Sequence, residues 1–224
     1  MIKAIIFDLD NTLVDFMKMK RNAIEAAVYA MIDAGLNITP EKAKEVIDEI
    51  YREQGIEYQQ VFDLFLTKVL GRVEYKYLAS AIVAYRKARE AALNPYPHVH
   101  KTITELIKRG IKIAILSDAP AKEAWLRLAY MGFQHYFDVV VTFDDTKERK
   151  PSPIAFHTVI ARLGSKPEET LMVGDWNERD IIGAKNVGMI TAFAKYGDTF
   201  NTEKHDAYYE LNDISDILKL IDKQ

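Results

Sequence analysis

An almost wholly apolar, β-branched run at residues 2–7 ends abruptly in Asp8-Leu9-Asp10-Asn11-Thr12. A run of this kind without polar alternation is the pattern of a strand buried on both faces of a parallel sheet. Such a strand has no interior use for two carboxylates one residue apart, so they mark its exit into a polar crevice. In open α/β sheets ligands bind along that carboxyl edge. With Leu9 turned to the core, Asp8 and Asp10 face one cavity, and two like charges so close favour a shared proton or a cation. The competing local reading is an Asx turn or a helix cap.

The rest of the chain sets that strand in a larger pattern. For about eighty residues after Leu13 the apolar spacing is helical. Residues 21–34 stop at Gly35, and Thr39-Pro40-Glu41 caps a helix over 41–52. Residues 59–70 and 74–93 add two more amphipathic segments, so four helices without an intervening strand form a small bundle. Asn94-Pro95-Tyr96-Pro97 ends it with two prolines, a stiff hinge. Helices and strands then alternate: helices over 101–109, 121–131, 153–163, 181–186 and 214–221, strands over 111–116, 137–142, 170–173, 189–194 and 207–211. The expected fold is α/β, a Rossmann-like parallel sheet core with helices on both faces and an inserted helical bundle. The core takes residues 1–14 and 96–224, the insertion 15–95.

Several of these strands end alike. The second runs into Ser117-Asp118, the third is followed by Lys150-Pro151, and the fourth runs into Gly174-Asp175-Trp176-Asn177-Glu178-Arg179-Asp180. All carboxyl ends of a parallel sheet lie on one edge, so carboxylates, a hydroxyl and an ammonium converge there. That set suits phosphoryl transfer, in which catalysis is mostly positioning and charge neutralisation. With no Cys and five scattered His, a hard ion such as Mg²⁺ fits better than zinc.

These motifs, in this order, resemble those of the haloacid dehalogenase superfamily, in the branch with a helical cap after the first strand. DxDxT matches Asp8, Asp10 and Thr12, the strand-ending hydroxyl matches Ser117, the Lys before Pro matches Lys150, and GDxxxxD matches Gly174, Asp175 and Asp180. The resemblance implies that Asp8 is the nucleophile, forming an aspartyl-phosphate, and that Asp10 is the general acid and base. It implies that Mg²⁺ is held by Asp8, the Asp10 backbone carbonyl and Asp175, with Asp180 binding metal-bound water or orienting Lys150. Lys150 then offsets the charge of Asp8 and the phosphate, Ser117 donates to a phosphate oxygen, and backbone amides near Leu9 and Asp118 share that task. The dehalogenase reaction itself is not expected, because an alkoxide leaving group needs the second carboxylate that Asp10 supplies and a halide does not.

Duller readings stand beside these. Ser117 or Asp118 also fits a cap for the helix after Pro120, and Asp180 one for the helix at Ile181. Lys150 ends a charged run that by itself reads as a solvated loop. Lys18, Lys20 and Arg21 read as a solvated basic face more readily than as anion binders, and Arg179 as facing water. His98 and His100 read as structural loop residues. Met17, Met19 and Met31, with Tyr58, Phe62 and Phe65, read as packing. Trp176 is bulkier than the family usually has after the fourth-motif Asp and narrows the entrance.

A net charge of -3 with mixed signs argues against a nucleic-acid partner, and no stretch among the 224 residues is apolar for long enough to cross a bilayer. The first apolar run is too short for a signal peptide, and the absence of Cys excludes disulfides, so a cytoplasmic setting is expected. The reading is a Mg²⁺-dependent phosphatase of a small phosphorylated metabolite: a sugar or triose phosphate such as glyceraldehyde 3-phosphate, phosphoglycolate or a nucleotide. A phosphomutase and a non-catalytic binding module on the same fold are the alternatives.

Overall fold

The structure, a computed structural model, describes residues 1–222. In chain order its elements begin with β1 (Ala4–Phe7), α1 (Phe16–Asp33), α2 (Pro40–Gln54), α3 (Val61–Leu70), α4 (Tyr75–Ala92), α5 (Val99–Lys108) and β2 (Lys112–Leu116). There follow α6 (Ala121–Tyr130), β3 (Val139–Val141), α7 (Phe143–Thr146), α8 (Pro153–Leu163), β4 (Thr170–Gly174) and α9 (Gly183–Asn186). The described chain ends with β5 (Ile190–Ala194), β6 (Tyr209–Leu211) and α10 (Asp216–Asp222). It divides into two compact units, one made of Met1–Met17 with the chain from Asn94 onward, the other of Lys18–Leu93.

In the first unit all six strands pair in parallel, in the order β3-β2-β1-β4-β5-β6. Every residue of β1 is buried, because helices cover both faces of the sheet. Ala4, Ile6, Ala114, Leu116 and Met172 pack with Phe156 and Val159 of α8. The alternate residues Ile5, Phe7, Ile113 and Ile115 turn to the opposite face and are also fully buried. The chain builds β2 and β3 on one side of β1, then crosses to place β4 on the other. Phe7 is in register with both Ile115 and Val173, so Asp8, Ser117 and Asp175 leave the sheet along one edge at a topological switch point.

The second unit is helical. Its core joins Ile24, Val28 and Met31 of α1, Ile47 of α2, Phe62 and Phe65 of α3 and Leu78 of α4, with Tyr58 partly buried against them. Thr39 caps α2 by accepting from Lys42 N at 3.3 Å, with Pro40 in the first turn. Lys20 departs from the solvated face expected of it. It stands four residues before Ile24 and eight before Val28, on the apolar stripe, and is 5% exposed. Its ammonium lies 4.5 Å from the Tyr51 ring centroid and 5.6 Å from that of Tyr85, a cation–π setting.

Other departures have local causes. Helix α1 starts at Phe16 because Asn11 Oδ1 accepts from Met17 N at 3.1 Å, a side-chain cap reaching forward from the turn after β1. Strand β3 is shorter than expected, since Phe137 packs edge-on against Phe7 and Phe133 instead of extending the ladder. The short helix α7 was not expected; a capping box between Thr142 and Asp145 forms it. His98 is the left-handed N-cap of α5, and His100 lies within that helix and not in a loop. The helix expected over 181–186 begins earlier, as a π-helical turn at Asn177–Ile182 that leads into α9.

Candidate active site

Asp8 is the first residue past β1, its amide donating to Val173 O at 2.9 Å. Lys150, between α7 and α8, is 4% exposed. Its ammonium donates to Asp8 Oδ1 and to Leu116 O at 3.1 Å, and it forms an ion pair with Asp180 Oδ1 at 2.7 Å. The solvated-loop reading of Lys150 is therefore overturned. Thr12 Oγ1 lies 3.3 Å from Asp8 Oδ2 and donates to it.

Asp175 follows β4 directly, and Asp180 comes back over the strand end through the π-helical turn, its Oδ2 accepting from Trp176 N at 3.0 Å. Gly174 is required beneath it, since a Cβ there would overlap the Asp180 carboxylate. Asp8, Asp175 and Asp180 are all buried, and each offers an oxygen within 4.8 Å of the others. Three carboxylates around one ammonium leave two negative charges in excess, and burial makes that excess costly. Burial, opposed by Lys150 and reinforced by Asp180 and Asp10, pushes Asp8 up to about 8. Burial with repulsion from Asp8 and Asp180 pushes Asp175 up to about 9. Burial works against the charge on Lys150, but Asp180 and Asp8 outweigh it and hold the ammonium well above its usual range. A buried all-oxygen donor set with surplus negative charge fits a hard divalent cation.

The carboxylate of Asp10 stands outside this trio. It turns to Arg127, whose Nη1 lies 3.0 Å from Asp10 Oδ2. The carboxylates grouped closely enough to share a cation are those of Asp8, Asp175 and Asp180, and the Asp10 carboxylate is paired with Arg127 instead. Ser117 is 3% exposed at the end of β2, with its Oγ accepting from Ala119 N at 3.2 Å. Asp118 uses both carboxylate oxygens, one on Lys150 N at 2.9 Å and one on Arg179 Nη1 at 3.1 Å, which leaves its backbone as the group able to meet an anion. Arg179 does not simply face water: its guanidinium lies 3.9 Å from the Trp176 ring centroid, and Trp176 packs on Phe200 at 4.5 Å.

Two supports of the site carried no sequence motif. Tyr196 Oη donates to Thr12 O at 2.8 Å, and Gly197 sits so close to the Asn11 carbonyl that a Cβ would overlap it. Together they brace the turn that carries Asp10. Arg127 was also missed, although its place in α6 three residues after buried Ala124 and one before buried Leu128 was a signal. A charge on an apolar stripe needs a partner.

The profile of the haloacid dehalogenase-like hydrolases matches residues 2–188. The chain belongs to that family. This haloacid dehalogenase-like hydrolase is 36% identical to a glyceraldehyde 3-phosphate phosphatase of Methanocaldococcus jannaschii, over 99% of its own length and 97% of the relative's. It is 30% identical to the pyrophosphatase PpaX of Halalkalibacterium halodurans, over 98% of its length and 97% of the relative's. Among solved structures, the hydrolase aligns with a phosphatase of the same family from Thermococcus onnurineus at a TM-score of 0.73 and 28% identity, covering 98% of each chain.

Proposed function

We propose that this haloacid dehalogenase-like hydrolase is a Mg²⁺-dependent phosphatase that transfers the phosphoryl group of a small metabolite to Asp8 and then to water. The observation that carries the reading is Lys150, clamped between Asp8 and Asp180 with Asp175 alongside, at the carboxyl edge of β1 and β4. Lys150 holds the Asp8 carboxylate in place and offsets the charge that gathers as a phosphate approaches. Asp8 attacks phosphorus, and the bond to the substrate oxygen breaks. Asp10, protonated at the start, gives its proton to that alkoxide, then takes one from the water that cleaves the aspartyl-phosphate, which releases phosphate, frees the Asp8 carboxylate and returns Asp10 to its acid form. Ser117 and the backbone amides near Leu9 and Asp118 are the donors for the phosphate oxygens.

Asp8, Asp175 and the Asp10 carbonyl would hold Mg²⁺, and Asp180 would stay between Lys150 and the Trp176 amide. When bound, the cation would supply positive charge that offsets the charge of the transferring phosphoryl group. The helical unit Lys18–Leu93 is proposed as the cap that selects the substrate. Glyceraldehyde 3-phosphate is the leading candidate, on the name of the relative that matches over nearly the whole chain. No helix among the described residues is long and apolar enough to cross a membrane.

Phosphate release measured over glyceraldehyde 3-phosphate, phosphoglycolate, nucleoside monophosphates and pyrophosphate, with Mg²⁺ and with chelator, tests the reading. Chelator-sensitive release from a monoester, highest with the triose phosphate, is expected. Release from pyrophosphate alone points to the activity named in the second relative, and release from none of these rejects the reading.

A further inference from the structure

We infer that Arg127 is a positioning residue for Asp10, holding its carboxylate where it must stand to protonate the leaving oxygen. This rests on the general-acid reading of Asp10 proposed above. Arg127 lies on α6, the helix that follows the Ser117 strand end, and is 4% exposed. A buried guanidinium costs several kcal/mol unless it is well paired, so its position is specified by what it meets. It meets Asp10 at 3.0 Å through Nη1, and its Cζ lies over the Phe16 ring, 4.5 Å from the centroid.

The two contacts act together. Phe16, at the start of α1, holds the guanidinium against its ring, and a guanidinium suits such a contact better than a strongly hydrated ammonium. With the guanidinium fixed, the bond to Oδ2 sets the rotation of the Asp10 carboxylate and with it the place of the other oxygen. Asp10 follows a strand end in a short turn where Asn11 has a φ of 58°, so its backbone is set by the turn and its side chain by Arg127. The Lys150 ion-pair cluster does not supply this constraint, since it is built on Asp8 and Asp180.

A positioning role for a general acid shows in leaving-group dependence. p-Nitrophenolate leaves without protonation, whereas the alkoxide of glycerol 3-phosphate needs it. For Arg127→Met, kcat/KM toward glycerol 3-phosphate should fall by about 10²-fold, the scale of a misplaced general acid, and toward p-nitrophenyl phosphate by no more than about tenfold. Asp10→Asn should show the same selectivity more strongly. Arg127→Lys, which keeps a cation but not the planar fork, should show a smaller fall with the same selectivity, and it carries the test if Arg127→Met does not fold. Equal loss on both substrates in the Arg127 variants, with selectivity intact in Asp10→Asn, overturns the role of Arg127 alone. Absence of selectivity in Asp10→Asn overturns the general-acid reading and this inference with it.

Discussion

The Asp180 carboxylate lies over the Cα of Gly174, in space that a single methyl group would fill. Gly174→Ala should therefore push Asp180 away from Lys150 and loosen the ammonium from Asp8. Overpacking of this kind costs about 1–3 kcal/mol, and a shift near 1 Å at a reacting group about 10²-fold in rate. Thermal denaturation and kcat/KM measured on the same preparation should show the rate falling further than the stability alone would explain.

Lys150→Met should remove both stability and turnover. It leaves Asp8 and Asp180 facing each other without the cation between them, and breaking a buried pair costs roughly 3–5 kcal/mol. Denaturant midpoints at pH 7 measure the first effect.

The carboxylate cluster links pH, stability and cation. Asp8 at about 8 and Asp175 at about 9 both lie above their ordinary value of 3.8, so the folded state binds more protons than the unfolded one between those limits. Stability from these two groups is full below pH 4 and is lost as pH rises through 8 and 9. A cation that binds the ionised carboxylates opposes that loss. The rise in melting temperature given by Mg²⁺ should thus be larger at pH 9 than at pH 6, with protons released on binding at pH 7. Equal rises at both pH values would contradict the assignment of Asp8 and Asp175 as the ligands.

The Tyr196–Gly197 brace should matter through the Asn11–Thr12 turn. Tyr196→Phe removes the donor to Thr12 O, at a cost of about 1–3 kcal/mol for an unsatisfied buried acceptor. Gly197→Ala should lower kcat more than KM, because it displaces Asn11, next to Asp10, and adds nothing to the phosphate donors. Steady-state kinetics of both variants on one substrate measures this.

What the sequence disclosed follows from how local each signal is. The exit of β1 into Asp8 and Asp10 was legible because a buried strand and two adjacent carboxylates conflict within a few residues. Ser117 and Asp175 were legible because a parallel sheet brings strand ends to one edge, whatever the intervening length, whereas Lys150, nine residues past β3, stood out only through the proline after it and the order of the motifs. The destinations of individual side chains were not. Asp10 finds Arg127 at a separation of 117 residues, Asp118 is used by Lys150 N and Arg179, and Lys20 turns inward between two tyrosines. Each is a choice among polar partners that only the packed chain determines. The π-helical turn at Asn177–Ile182 was hidden for a related reason, since its opening residues show no α-helical period and are set by the return of Asp180 toward Trp176.

The most direct measurement replaces Asp8 by Asn and follows phosphate release from glyceraldehyde 3-phosphate in the presence of Mg²⁺, with circular dichroism to show that the fold is kept. Asn is nearly isosteric but cannot form the acyl-phosphate, so turnover should vanish while the spectrum and melting profile stay close to those of the parent. Turnover persisting at the parent rate in the folded variant would contradict Asp8 as the group that receives the phosphoryl.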